Sequence, residues 1–363
     1  MGGCNDVDNG AKPANEKKPE PSGQPAPANK DEITITSAEF STPEAKILTL
    51  GAGECGKSTI WRQLKLIYCG GFDESERSTM KDVIRLNVIS DIKTILEALS
   101  RSEQPVNQSL QSSVELITEL ANSEEDLTPE VAQNITKLWA DPVIKHVFKQ
   151  SNSIGLGDNA GFFLDEVERI AQSDYTPTDE DILKSRIRTV GISNLDFQFN
   201  NILTQLVDVG GQKSERARWQ KCFTNVDFLL FVVSLSDFDQ FMFEEEGTSR
   251  TQDSMALFNQ IANSNIFESK PIFLVLNKKD LFEKKLQENP DKFREAYPGF
   301  SGDISSPEAC IEHVKESFLK GLQERNADAW VETIPTCAMN QDSIRSLFQQ
   351  IGKKVVQAKA GSQ

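Results

Sequence analysis

The stretch GAGECGKST, Gly51 to Thr59, carries the residues of this chain best suited to holding phosphate. It fits G-x-x-x-x-G-K-[ST] through Gly51, Gly56, Lys57 and Ser58. Glycines let backbone N–H groups close on phosphate oxygens, and a helix N-terminus behind them adds partial positive charge. Lys57 is spaced to reach the β- and γ-phosphates of a nucleoside triphosphate, and the Ser58 hydroxyl to ligate Mg²⁺. A chance match is the competing reading. KILTLG before the loop reads as a short strand and STIWRQLKLIY after it as a helix, which is the context the chemistry needs.

The loop does not choose the base. LNKKD (Leu276 to Asp280) ends an apolar run. A carboxylate at Asp280 accepts from guanine N1–H and N2–H₂, whereas adenine offers neither donor there and leaves the charge unpaired. Asn277 is placed for the other edge of the base, and the Lys278 stem for the ring face. DVGGQ (Asp208 to Gln212) ends another apolar run. There Asp208 suits the Mg²⁺ shell through water, Gly211 brings an N–H to the γ-phosphate, and Gln212 orients an attacking water. Taken alone, each is a polar strand end or an Asp-Gly-Gly turn.

These loops need a scaffold. NILTQLVDVG, DFLLFVVSLS, PIFLVLNKKD and ETIPTCAM read as buried strands, with helical patterns between and after them, ending in SIRSLFQQIGKKVVQA. The expectation is an α/β fold: a mostly parallel sheet with its ligand at the carboxyl ends of the strands. Residues 72–181 differ. Ile84, Val88, Ile92, Ile95 and Leu99 form one helical stripe, further helical patterns follow, and nothing reads as a strand, which implies an inserted all-α domain. Residues 45–71 and 182–363 then form the α/β domain, and 1–44 a disordered extension broken by Pro13, Pro19, Pro21, Pro25, Pro27 and Pro43. Within that extension, ITI (Ile33 to Ile35) reads as a short strand or as nothing.

A net charge of −16 repels nucleic acid, and the six scattered cysteines form no CxxC pair. No apolar run is long enough to span a membrane. MGGC at the start offers Gly2 for myristoylation and Cys4 for palmitoylation, although Asp6 stands where that pattern wants Ser or Thr; an unmodified start is the other reading.

Loop, DVGGQ and NKKD in this order resemble a regulatory GTPase. About 150 residues separate Lys57 from Asp208, far more than a small Ras-like GTPase needs. The chain is therefore similar to the α subunit of heterotrimeric G proteins over residues 45–350. DILKSRIRTVGI resembles the first switch of that family, DVGGQKSERARWQKCF the second, SDFDQFMFEEEGTSRTQDSMALF the third, and TCAM (Thr336 to Met339) the last guanine-binding loop. The resemblance implies a Ras-like P-loop GTPase domain with a helical insert, which hydrolyses GTP to GDP. By the same likeness Arg186 is a built-in arginine finger and Thr189 completes the Mg²⁺ shell. Leu183 and Lys184 lie beside the nucleotide, and Asp158 closes over it from the helical insert. Glu54 lies near the first switch. Cys337 and Ala338 support the base, and Cys55 stands where the family carries Ser, acting through its backbone N–H. Arg216 is expected to bond acids of the third switch, where Asp253 replaces the usual Glu. Trp219 and Phe223 are partner anchors or half-buried core.

Implied partners are an effector and an RGS-type regulator at the switches, the βγ dimer, a seven-helix receptor, and the inner face of the plasma membrane through lipid. Two ends depart from the family. Proline forbids its N-terminal helix over residues 1–44, and KKVVQAKAGSQ replaces an apolar receptor-binding tip. The alternative is a nucleotide-binding scaffold with little hydrolysis or little coupling to βγ and receptor. An ATP-using P-loop enzyme is opposed by NKKD.

Overall fold

The computed structural model describes residues 33–37, 42–101, 106–121, 127–149, 155–242, 247–325 and 329–361. Gly2, Cys4 and Asp6 lie outside this set, as do the third-switch acids Glu244, Glu245 and Glu246.

Seven strands form one sheet: β1 (Ile35–Ser37), β2 (Ala45–Leu50), β3 (Ile192–Phe199), β4 (Ile202–Val209), β5 (Phe228–Ser234), β6 (Ile272–Asn277) and β7 (Val331–Pro335). Their order is β1-β3-β4-β2-β5-β6-β7. The pairs β2/β4, β2/β5, β5/β6 and β6/β7 are parallel; β3 runs antiparallel to β4 and to β1. β5 and β6 are buried along their whole length, as long apolar runs covered on both faces require. Successive side chains serve opposite layers. Leu48 and Phe231 join Phe258, Phe282 and Phe318 on one face, while Ile47 and Phe228 join Ile60, Leu64 and Phe348 on the other.

The helices of the sheet-bearing part include α1 (Lys57–Tyr68), directly after the phosphate-type loop. A third apolar core belongs to helices alone. In α2 (Glu74–Arg101) the stripe Ile84, Val88, Ile92, Ile95 and Leu99 is buried against α3 (Gln111–Glu119), α4 (Pro129–Trp139), α5 (Pro142–Lys149), α6 (Ala160–Asp165) and α7 (Val167–Ile170). Helix α8 (Asp179–Lys184) starts in a capping box, with Thr178 and Asp181 each bonding the other's backbone N–H, and leads back to the sheet.

Two strands were not legible as buried runs. β3, ISNLDFQF, has one face half exposed, so its apolar residues alternate with polar ones. β1 covers Ile35 to Ser37, partly overlapping ITI, and lies inside the stretch expected to be disordered. Its partner strand is distant in sequence: Ile35 faces Phe199 and Ser37 faces Phe197. Trp219 is core, not a surface anchor: it is 3% exposed, and its Nε1 donates to Gly210 O at 2.8 Å. Phe223 is half-buried and meets Phe267 edge-on at 5.0 Å.

After β7 the chain passes through Thr336–Met339 into the last helix, capped by Asn340, whose Oδ1 accepts from Ser343 N at 2.8 Å. This helix runs on to Ala360. Gly352 sits in its interior, where glycine is worse than alanine by about 1 kcal/mol. The reason is close approach: a Cβ there would meet Phe199 Cδ1 at 2.6 Å and Ile33 Cγ2 at 2.9 Å.

Candidate functional site

The carboxyl ends of β2, β4, β5 and β6 open on one edge of the sheet, and a cleft of about 840 Å³ lies between them and the helical part. That volume is within the usual range of small-molecule sites. Gly53, Glu54, Gly56, Lys57, Ser58, Thr59, Asp158, Leu183, Lys184, Arg186, Thr189, Gly211, Gln212 and Lys278 all line it. The loop takes three residues at positive φ, Gly51 (146°), Glu54 (63°) and Gly56 (101°). Gly56 has no alternative, since a Cβ there would collide with Asn277 Nδ2. The loop runs straight into α1, so the free N–H groups at the start of a twelve-residue helix face the cleft.

Lys57 Nζ donates to Gly51 O at 3.0 Å and Ala52 O at 2.7 Å and is 5% exposed. The loop thus holds its own cation in place. Cys55 is 1% exposed beneath the loop, and burial pushes its thiol up despite Lys57, 3.7 Å from Sγ. The thiolate is disfavoured there, as expected.

Three oxygen donors meet at the start of α1. Ser58 Oγ lies 2.6 Å from Thr189 Oγ1 and 3.2 Å from Asp208 Oδ2. Asp208 Oδ1 is buried and has no hydrogen-bond partner among the described residues. A buried carboxylate oxygen with nothing to accept from is costly unless a ligand completes it. Two hydroxyls and one carboxylate are a hard donor set, and they fit Mg²⁺ that keeps part of its water shell.

The segment that carries Arg186 is anchored from two helices. Asn87 Nδ2 donates to Arg186 O at 2.9 Å, and Arg62 Nη1 donates to Ile182 O and Ser185 O, both at 2.9 Å. The Arg186 guanidinium is ion-paired with Glu54 and donates to Gly155 O at 3.2 Å. Glu54 also takes Arg250 Nη1 at 2.9 Å. Burial opposes ionisation of Glu54, yet Arg250 and Arg186 together hold its carboxyl below the ordinary value. Gln212 stands beside this group in the same cleft.

At the far end, Asn277 braces two loops with half of its amide, which leaves one N–H and one oxygen lone pair for an incoming base. Nδ2 donates to Cys55 O at 2.9 Å and Oδ1 accepts from Ala338 N at 2.9 Å. Asp280, in the first turn of the helix Lys279–Glu288, is exposed and takes a hydrogen bond from the Cys337 thiol, which burial and that carboxylate push up to about 11. Lys278 is left-handed (φ 62°) and reaches across the cleft: Nζ lies 2.6 Å from Asp158 Oδ2 and 3.8 Å from Asp237 Oδ1. Burial disfavours the Asp158 carboxylate, but Lys278 more than offsets this and brings it down to about 2.

Asp91 behaves oppositely. It lines the helical wall of the cleft, and burial lifts it from 3.8 to about 7 against the pull of Arg186. A carboxyl that ionises later in the folded chain makes folding less favourable as pH rises from about 4 to 7. Asp91→Asn is expected to flatten that part of the stability–pH curve in urea melts and to raise stability at pH 8; an unchanged slope would contradict it.

The comparisons with known proteins agree with one another. The family model described as G-protein alpha subunit matches residues 24–355. The chain belongs to the G-protein α-subunit family. A "Guanine nucleotide-binding protein subunit alpha" of Emericella nidulans is 38% identical over 317 residues, 86% of this chain and 88% of that protein. "G-protein complex alpha subunit gpaA" of Aspergillus fumigatus and "Guanine nucleotide-binding protein alpha-1 subunit" of Neurospora crassa match to the same extent. G-protein α subunits are GTPases and signal transducers, and this chain is a member of that group.

Within that family frame the contact between the second and third switch segments is explicit. Arg216 makes a bidentate pair with Asp253, Nη1–Oδ1 3.1 Å and Nη2–Oδ2 2.6 Å, so the shorter acid still closes the bond. Arg250, Asp237, Arg62 and Asn87 carried no assigned role in the sequence reading. Arg250 and Asp237 stood inside the third-switch motif, but their partners are distant in sequence: Glu54 is 196 positions from Arg250.

Proposed function

We propose that this G-protein α subunit binds GTP with Mg²⁺ in the cleft, hydrolyses it to GDP and phosphate, and couples the nucleotide state to its switch segments. One observation carries the reading: Ser58, Thr189 and the unpartnered Asp208 Oδ1 gather beside Lys57, with Arg186 and Gln212 in the same cleft.

Lys57 and the N–H groups of Gly51–Thr59 hold the β- and γ-phosphates, and Asp280 reads guanine, with Cys337 and Ala338 behind it. Leu183 and Lys184 flank the nucleotide, and Asp158 closes over it through Lys278. Mg²⁺, held by Ser58, Thr189 and, through water, Asp208, supplies charge neutralisation at the phosphates. Gln212 orients the attacking water. Arg186 leaves Glu54 and turns to the γ-phosphate as negative charge spreads over its oxygens. Loss of the γ-phosphate frees Thr189 and the Gly211 N–H, and both switch segments relax. The domain division follows the sequence reading, 45–71 with 182–363 and the helical 72–181, with β1 added to the first.

An effector and an RGS-type regulator dock at the switches, where Val190 (71% exposed), Ile192 and Phe241 present apolar surface. Coupling to βγ and to a seven-helix receptor is weak or altered, given the proline-rich start and the polar tail. The chain works in the cytoplasm at the inner face of the plasma membrane, held by lipid on Gly2 and Cys4; no helix among the described residues is long and apolar enough to cross a membrane.

Single-turnover hydrolysis tests the assignment. Gln212→Leu is expected to lose about 10²-fold in rate on GTP, and the parent chain to prefer GTP over ATP. Equal rates for the two proteins would remove Gln212 from the mechanism, and a preference for ATP would overturn the base assignment.

A further inference from the structure

The three-residue strand β1 is more than an edge extension: it ties the N-terminal arm across the last helix. Three register pairs hold it to β3, and Asn200 closes the end, its N donating to Thr34 O at 2.7 Å and its Oδ1 accepting from Thr34 N at 2.8 Å. The second anchor is on the helix Gln341–Ala360. Gln349 uses its side-chain amide as a strand would use its backbone: Oε1 accepts from Ile33 N at 3.1 Å and Nε2 donates to Ile33 O at 2.7 Å. Ile33 is 8% exposed and sits over Gly352, the glycine that clears space for it and for Phe199. A helix-interior glycine whose missing Cβ is filled by the arm is a built seat.

The same helix governs the loop behind the base. It starts at Asn340, immediately after Thr336–Met339. Ser343 Oγ, in its first turn, accepts from Cys337 N at 3.0 Å. Ala338 N bonds Asn277, and Met339 O takes Gln63 Nε2 at 3.1 Å. Gln349 lies about two turns beyond that start. At the far end Lys359 Nζ pairs with Asp227 at 2.9 Å, and Asp227 also accepts from Lys46 N. The helix is therefore pinned at its end by an ion pair and at its middle by the arm, while its start carries the base loop.

We propose that the segment Ile33–Ser37 is an intramolecular restraint on nucleotide release: seated on β3, Gln349 and Gly352, it keeps the last helix from tilting and so keeps Cys337 and Ala338 behind the base. The proposal rests on the nucleotide-site reading above. Lys57, Ser58, Arg186 and Gln212 stand on other segments than Cys337 and Ala338, and none of them bonds Ile33 or Gln349. Removing the restraint thus speeds release without touching hydrolysis.

The experiment compares the full chain, a variant lacking residues 1–37, and Gln349→Ala, which removes both bonds to Ile33 but leaves the β1/β3 pairing. Release of a fluorescent GDP and single-turnover hydrolysis of preloaded GTP are measured on each. Both variants are expected to release GDP about fivefold faster or more, with hydrolysis unchanged. Release within twofold of the full chain in folded Gln349→Ala overturns the proposal, and so does an equal change in both rates, which signals general loosening. If the truncated chain does not fold, Gln349→Ala alone decides. A full chain that binds no GDP overturns the underlying site reading, a result distinct from normal binding with unaltered release.

Discussion

Arg186→Ala is expected to slow single-turnover GTP hydrolysis by about 10³-fold, roughly 4 kcal/mol of barrier, a size carried over from arginine fingers of this family. GTP affinity should change little. The asymmetry follows from where the guanidinium rests. It is bound to Glu54 and Gly155 O, so protein groups already hold it. What the substitution removes is the charge that neutralises the γ-phosphoryl oxygens as the bond to the leaving group breaks, an interaction stronger in the transition state than before it. The backbone of residue 186 is fixed independently by Asn87, and its neighbours by Arg62, so truncating the side chain leaves the segment in place. Nucleotide-loading titrations and chemical-quench assays read the two quantities separately. A rate loss below tenfold, or a loss of binding as large as the loss of rate, would contradict the role.

Asp280→Asn is expected to reduce affinity for guanine nucleotides by about 10³-fold and to favour xanthine nucleotides instead. In the proposed reading the carboxylate offers two acceptor oxygens to two guanine donors, N1–H and N2–H₂. Asparagine replaces one acceptor with a donor, which turns an attraction into a clash of N–H groups. Xanthine carries a carbonyl where guanine carries the amine, and it matches the amide. Asp280 is exposed at the start of its helix, with the Cys337 thiol as its hydrogen-bonding neighbour. The fold loses little and the change reads out in selectivity. Competition of GDP and xanthosine diphosphate for a fluorescent nucleotide measures it. Unaltered preference for guanine would move the specificity contact elsewhere.

The chemistry-bearing residues were legible because each loop is contiguous and sits at the end of a buried strand. Gly51–Thr59, Asp208–Gln212 and Leu276–Asp280 contain their meaning within a few residues, and β2, β4 and β6 carry the long apolar runs that place them. The helical stripe of α2 was legible for the same reason, since five positions at steps of three and four need no partner to be recognised. What escaped were features defined by two distant segments. β3 alternates because one face is half exposed, and β1 is too short to show any period. Asn277 reads as a base contact in sequence, but its bonds to Cys55 O and Ala338 N, which make it a brace between two loops, join segments far apart in the chain. Trp219 carries the composition of an interface residue, but it packs into the core cluster with Cys222 and Val226, and the Gly210 carbonyl satisfies its Nε1. Asp91 lies in an ordinary helical pattern, and nothing there announces that it opens onto the cleft with Arg186.

Charged side chains crowd the mouth of the cleft, and among the pairs described one, Lys278 with Asp158, joins its two walls. Lys278 reaches Asp158, Arg186 and Arg250 both reach Glu54, and Lys278 stands near Asp237. Apolar seams tighten when salt is added, whereas ion pairs at a partly wet boundary weaken as mobile ions gather around them. The contact between the two walls is therefore expected to loosen as the ionic strength around the protein rises, and the residence time of a nucleotide in the cleft to shorten with it.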